Sequence, residues 1–327
     1  MTTATDLYAL NLAEATSLVR HSGDTTVLVQ GHMGTGKSSM LKILAQELPD
    51  HIPCYFDCTT KDLGDITIPN VVNLTADLSE SFVRYVTNEE LGVHLKKPII
   101  LMIDEYGKAN PAVKNALLRL MLERKIGSET LHPDSIIFAT TNLGSEGVGD
   151  LLPAHARNRL TVVKMRKPTN VEWIEEYAIN NGIDHTMIAW VQDNPQLFST
   201  FEDIKDPQDN KFIFHPADPS RVSFVTPRSL EKASNWLKVR DRLTDKVLMA
   251  SLIGTIGTEA ASNLNAFVRV SDQLPSLDSI KKDPMGAVVP SSASAVCMVV
   301  YRTLSTIDKT WMDRSEEHTS ELQSRET

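Results

Sequence analysis

The residues best suited to chemistry lie in one run, Gly31-His32-Met33-Gly34-Thr35-Gly36-Lys37-Ser38. Its glycines allow positive φ and close backbone approach, so the N–H groups from Gly31 to Ser39 can turn toward one phosphate. The helical pattern that opens at Ser39 adds its positive end at the same point. Lys37 can reach the β- and γ-phosphates, and the Ser38 hydroxyl can hold Mg²⁺. An apolar, β-branched run, Thr25-Thr26-Val27-Leu28-Val29-Gln30, leads in. Strand before and helix after is the setting a P-loop needs, which a glycine-rich turn with an incidental lysine would not supply. The expected ligand is a nucleoside triphosphate with Mg²⁺.

Further along, Ile99-Ile100-Leu101-Met102-Ile103 ends in Asp104-Glu105. A carboxylate at the end of a buried strand can orient Mg²⁺, which is the role expected of Asp104. Glu105 beside it can take a proton from the water that attacks the γ-phosphate. An isolated Asp-Glu pair is usually solvated surface; the apolar run before it argues otherwise. Asn142 ends a second apolar run, Ser135-Ile136-Ile137-Phe138-Ala139-Thr140-Thr141. An amide there could hold the water or the phosphate in line, or simply close a turn. Arg157 and Arg159 precede another strand, and a guanidinium suits the charge that develops on a transferring phosphoryl group. Arg228, in Thr226-Pro227-Arg228, opens a helix against its dipole, an odd place unless an anion is near.

The elements that must position these residues alternate. Strands are expected at Thr26–Gln30, Ile52–Asp57, Ile99–Ile103, Ser135–Thr140 and Leu160–Lys164, with helices at Asp6–Arg20, Ser39–Leu48 and Ala112–Glu123. Asp62–Pro69 reads as a loop or short insertion, the region near Ser79–Thr87 as a helix, and Arg124–Leu131 as a short hairpin. Asp150 is expected to cap a short helix reaching Arg157. The fold class that follows is α/β: a parallel sheet of five strands with helices on both faces. The Asn142 strand is placed between the P-loop strand and the Asp104 strand. This core spans residues 1–167. Residues 168–313 read as a smaller, mainly helical lid domain, with helices at Asn170–Asn180, Arg228–Val239, Asp245–Ala266 and Ala293–Thr306. Residues 192–222 hold four prolines and read as irregular.

Composition excludes some classes. A net charge of −9 argues against a general nucleic-acid sleeve. No run approaches a membrane span, and the first residues lack a secretory pattern, so the expected location is the cytoplasm, a host's if the gene is viral. Cys54 and Cys58 fall on one face of a predicted strand beside His51. Without a fourth ligand at finger spacing they read as buried, reduced thiols.

In order, the P-loop, Ile103-Asp104-Glu105, Ala139-Thr140-Thr141-Asn142, Arg157-Asn158-Arg159 and Thr226-Pro227-Arg228 resemble the AAA+ ATPases, and within them the MoxR-like group. Asp62-Leu63-Gly64-Asp65 and Glu123-Arg124-Lys125-Ile126-Gly127 also look like that group, and the resemblance covers about residues 7–255. It implies Mg²⁺-dependent ATP hydrolysis, with Asn142 as sensor 1, Arg159 (with Arg157) as an arginine finger offered to a neighbour, and Arg228 as sensor 2. It also implies a homo-oligomeric ring, usually a hexamer, with ATP between subunits and loops facing a central pore. Such rings remodel or activate a protein partner, and a von Willebrand factor A-type protein is a common companion. The family often restrains its glutamate with a polar residue after the second strand; here Thr59 or Thr60 would have to serve. Two other readings compete. A nucleic-acid motor or helicase loader is disfavoured by the acidic balance, and a nucleotide-binding scaffold without turnover is opposed by intact Lys37, Glu105 and Asn142.

Arg314 to Ser324 is the peptide that a common sequencing-adapter oligonucleotide encodes when read in frame, so residues 314–327 are expected to be a non-native tail. Deleting them should leave the Tm and the rate of ATP hydrolysis unchanged. A loss above about 1 kcal/mol, the effect of one ordinary mutation, would show that the tail packs.

Overall fold

In a computed structural model of the chain, the structure describes residues 8–73, 81–143, 158–271, 274, 280, 282–283, 285–291 and 293–304. The chain divides into two compact units, Met1–Pro168 and Thr169–Thr327.

The first unit is built on a five-stranded sheet. Its strands are β1 (Val27–Gly31), β2 (Ile52–Asp57), β5 (Ile99–Asp104), β8 (Ile136–Thr141) and β9 (Thr161–Met165), in the order β2-β5-β8-β1-β9. Every pairing is parallel. The residues explain the layers, because successive side chains on a strand face opposite ways. Val27, Val29, Ile100, Met102 and Phe138 pack on one side with Ala15 and Val19 of α1 (Leu12–Arg20) and with Met40 and Leu44 of α2 (Ser39–Glu47). Leu28, Leu101, Ile103, Ile137 and Ala139 pack on the other with Leu117, Leu120 and Met121 of α3 (Pro111–Glu123). The all-apolar runs noted in the sequence are therefore strands covered on both faces.

Two expectations for the first unit need correction. The first helix starts at Leu12 because Asn11 caps it: its side chain accepts from Glu14 N, and Glu14 reciprocates. Leu10 joins the sheet instead, donating to Lys164 O and accepting from Arg166 N. The region near Ser79–Thr87 is not helical. Ser81–Thr87 is a strand, β4, paired antiparallel with β3 (Thr67–Asn73), Val71 opposite Val83. Both segments are rich in β-branched and aromatic residues, which a helix tolerates poorly and a ladder suits.

This ribbon is largely exposed, Ile68, Val71, Phe82 and Val86 included. It is tied to the small hairpin of β6 (Lys125–Ile126) and β7 (Glu129–Thr130), which was expected. Arg84 Nη2 donates to Glu129 Oε1 at 2.7 Å, and Lys96 pairs with the other oxygen. Those hydrogen bonds, the one from Lys96 first, hold the Glu129 carboxyl below the usual carboxylate range.

The second unit is helical. Asn170–Glu172 runs into π-helical turns over Trp173–Ala178 (together α4), followed by α5 (His185–Asp193), α6 (Pro227–Lys238), α7 (Asp245–Ile256), α8 (Thr258–Ser271) and α9 (Ala293–Leu304). Helix α5 went unread in the sequence, although Asp184 caps it and Met187, Ile188, Trp190 and Val191 are buried in its core. Asp245–Ala266 is two helices rather than one, since Gly257 between them has φ +85° and a Cβ there would sit 2.5 Å from Ser223 O. Pro195–Phe198, Phe201–Asp203 and Pro207–Asp209 are single 3₁₀ turns. The expected cap at Asp150 and the tail at 314–327 lie outside the described residues. Among the described residues no helix is long and apolar enough to cross a membrane.

Arg221 holds the irregular segment together. Its guanidinium donates to the carbonyls of Asn210 and Ile213, both at 2.8 Å, to that of Pro207, and to Asp218 Oδ2 at 2.9 Å. Arg221→Ala strands three carbonyls and should lower the stability of this unit by about 2–4 kcal/mol. Arg221→Lys should recover less than half of that, because an ammonium cannot fan out to four acceptors. Chemical denaturation of both variants checks this.

Candidate functional site

The run from Gly31 to Ser39 joins the end of β1 to the start of α2. Gly34 and Gly36 take positive φ, 75° and 97°, as a loop turning its N–H groups inward requires. Gly31 does not. Its lack of a side chain answers a different need, since a Cβ there would lie 2.8 Å from Met165 O on β9. Thr35 Oγ1 donates to His32 O at 3.0 Å, and both residues are buried, while Met33 and Ser39 are half-buried. Lys37 is buried too. Its Nζ donates to Gly31 O at 2.7 Å, His32 O at 2.8 Å and Asn142 Oδ1 at 2.8 Å. Ser38 precedes α2 without capping it, and its Oγ stands 3.5 Å from Asp104 Oδ2.

Sheet order brings the remaining groups to the same edge. β8 lies between β1 and β5, as the sequence led us to expect, so Asn142 emerges between the P-loop and Asp104. Its Nδ2 donates to Glu105 Oε1 at 3.1 Å. Lys37, Asn142 and Glu105 thus form one chain of contacts, cation to amide to carboxylate. Glu105 Oε2 is buried and accepts no hydrogen bond among the described residues; Lys108 Nζ stands 3.2 Å away, near enough for charge attraction but poorly aimed. Asp104 Oδ1 accepts from Thr140 Oγ1 and from Glu105 N, and Oδ2 accepts from Tyr55 OH at 2.9 Å.

Two neighbours register the negative field of this edge. Burial first, then the Asp104 carboxylate, push the Tyr55 phenol well above its ordinary range. Burial, with Asp57, Asp104 and Glu105, pushes the Cys58 thiol up to about 12. Cys58 is in the 3₁₀ turn Cys58–Thr60 rather than on the strand with Cys54, and both thiols are free and buried. Among the predicted site residues, then, Lys37, Ser38, Asp104, Glu105 and Asn142 are brought together. Arg159 is exposed in the turn ahead of β9, and Arg157 lies outside the described residues. Arg228 is exposed at the first turn of α6, lining a cleft of about 740 Å³ in the second unit with Lys232, Trp236 and Phe224.

The donor set suits the expected ligands: a loop of inward N–H groups, a buried ammonium and a carboxylate-rich edge fit a polyphosphate and a hard divalent cation. Residues 27–166 match the family described as ATPase family associated with various cellular activities (AAA). Over those residues the chain is similar to that family.

A curated relative, an ATP-dependent protease ATP-binding subunit-like protein from Rhodococcus erythropolis, is 27% identical over 180 residues, 50% of this chain. The chain spans about half of that relative, 51% of its length. Among solved structures, the Thermotoga maritima RuvB Holliday junction branch migration motor is 17% identical with a TM-score of 0.38, covering 96% of this chain and 90% of that one. A putative ATPase from Cytophaga hutchinsonii is 12% identical with a TM-score of 0.37, covering 78% and 88%. Likenesses of that size say nothing of what this chain acts on.

Tyr55, Thr140 and Gly107 went unread in the sequence. The first two are ordinary strand residues until pairing sets them beside Asp104. Gly107 lies in the 3₁₀ turn Tyr106–Lys108 after Glu105, where a Cβ would overlap Thr141 Oγ1 on β8. Gly107→Ala should therefore cost about 1–3 kcal/mol, the usual effect of overpacking. Removing the obstructing hydroxyl in Gly107→Ala/Thr141→Ala should recover most of it, as thermal melts of the single and double variants would show.

Proposed function

We propose that this protein is a Mg²⁺-dependent ATPase of the MoxR-like kind, working as a homo-oligomeric ring, the hexamer its resemblance implies, to remodel or activate a protein partner. The observation that carries the hydrolytic part is the Lys37–Asn142–Glu105 chain beside the P-loop, with one buried Glu105 oxygen still open to a proton donor. In this reading the P-loop N–H groups and Lys37 bind the phosphates. Ser38 and Asp104 would hold Mg²⁺, which when bound would neutralise charge on the phosphate oxygens. Asn142 orients the attacking water, and Glu105 takes its proton at Oε2. Arg159 and Arg157 would be offered to a neighbouring subunit, and Arg228 would read the bound nucleotide. A protein client agrees with the description of the Rhodococcus erythropolis relative as protease subunit-like. A von Willebrand factor A-type protein is the partner class to try first.

Lys37→Ala should abolish nucleotide binding, while Glu105→Gln should bind ATP and not turn it over. An arginine finger is typically worth roughly 10³–10⁵ in rate, so Arg159→Ala should bind yet barely hydrolyse. Mixing Arg159→Ala with Lys37→Ala under subunit exchange should restore activity, because each supplies what the other lacks. Equal ATP affinity in wild type and Lys37→Ala sinks the nucleotide site; an inactive mixture with exchange confirmed sinks the shared site. Turnover stimulated by DNA and not by protein would replace the client with nucleic acid.

A further inference from the structure

On the reading above, Asp104 is the carboxylate that would orient Mg²⁺, and its two oxygens are not equivalent. Oδ1 is taken up within the sheet, accepting from Thr140 Oγ1 and from Glu105 N. Oδ2 stands toward the P-loop, 3.5 Å from Ser38 Oγ, and accepts from the Tyr55 hydroxyl at 2.9 Å. Asp104 is 8% exposed, whereas Tyr55, on the edge strand β2, is 46% exposed. The phenol thus reaches inward from the surface to a carboxylate that is nearly buried.

Strand register explains why a long donor is needed there. β2 and β5 pair in parallel with Asp57 opposite Asp104 and Tyr55 opposite Met102. Two carboxylates therefore fall at neighbouring positions, where like charges repel. Asp57 turns its Oδ1 to the N and Oγ1 of Thr59, at 2.9 and 2.8 Å, so the position directly opposite Asp104 offers it no donor. Tyr55, two residues earlier, lies on the same face of β2 and is long enough to cross to Oδ2. A phenol hydroxyl that has given its proton still has lone pairs that can accept from water, and Mg²⁺ usually keeps several waters.

We propose that Tyr55 is a positioning residue for the cation: its hydroxyl holds Asp104 Oδ2 toward Ser38, where a hydrated Mg²⁺ would meet it. Partners that orient a metal-binding side chain typically carry a factor of about 10–100 in metal affinity. Tyr55 acts from the exposed edge of the sheet, so a loss of about tenfold, the lower end of that range, is expected without its hydroxyl.

The test uses the full chain as Tyr55→Phe and Tyr55→Leu, saturated with a non-hydrolysable ATP analogue, while Mg²⁺ is titrated in. The readout is the rise in Tm that Mg²⁺ brings, each variant being compared with its own Mg²⁺-free baseline. Tyr55→Phe should need about tenfold more Mg²⁺ for half of that rise. Tyr55→Leu, which also removes the ring, should shift no further. With ATP as substrate, the kcat of Tyr55→Phe should return to the wild-type value as Mg²⁺ is raised. If Tyr55→Phe responds at the wild-type Mg²⁺ concentration, Tyr55 only packs on the sheet; the proposal is refuted and the hydrolytic reading stands. A kcat that stays low at saturating Mg²⁺ would put Tyr55 in the chemistry itself and equally overturn a role confined to the cation. If the wild type shows no effect of Mg²⁺ on either Tm or turnover, the cation site falls, and the role of Tyr55 with it.

Discussion

A buried ammonium is the constraint on which the site depends. Lys37 is 7% exposed, and a charge so placed is tolerable only when its donors are matched. Three acceptors do this, the carbonyls of Gly31 and His32 and the amide oxygen of Asn142. Two come from the loop that Lys37 itself closes, so the lysine keeps the loop folded around its own side chain. The third comes from the adjacent strand and fixes how that strand ends. Because an amide that accepts at oxygen must donate at nitrogen, pairing Lys37 also aims Asn142 at Glu105. One buried charge thereby orders three segments distant in sequence.

The acidic side of the site is organised by saturation. Asp104 accepts from Thr140, Tyr55 and the Glu105 backbone, so its orientation is set by two neighbouring strands and its own chain. Glu105 is held less completely, by one amide hydrogen bond and one loosely aimed cation. The contrast suits the chemistry each would do. A carboxylate orienting a cation gains from rigidity, whereas one that accepts a proton needs room to approach it.

Much of this was legible from residues alone, and the reason is local. The P-loop needs glycines, a lysine and a hydroxyl at fixed spacing, and buried parallel strands need unbroken apolar runs; both are written in consecutive residues. What was missed depends on partners. Ser81–Thr87 looked helical until Thr67–Asn73 is paired with it. Tyr55 and Thr140 become site residues only because β2 and β8 flank β5. Gly107 matters because of Thr141. Gly257, by contrast, could have been read, since a glycine inside a long helical pattern is a stop signal.

The strand order also governs how the site comes into being. β1 carries the P-loop, yet it sits between β8 and β9, with Val27 opposite Phe138 on one side and Thr161 on the other. Emerging early from the ribosome, it has no sheet partner until those late segments have been synthesised. Such distant pairings close slowly, since loop entropy is lost before any contact repays it. The phosphate cradle is thus made early in the chain and assembled late in the fold, and nascent fragments that stop short of Met165 would leave an apolar strand bare, a natural substrate for chaperones.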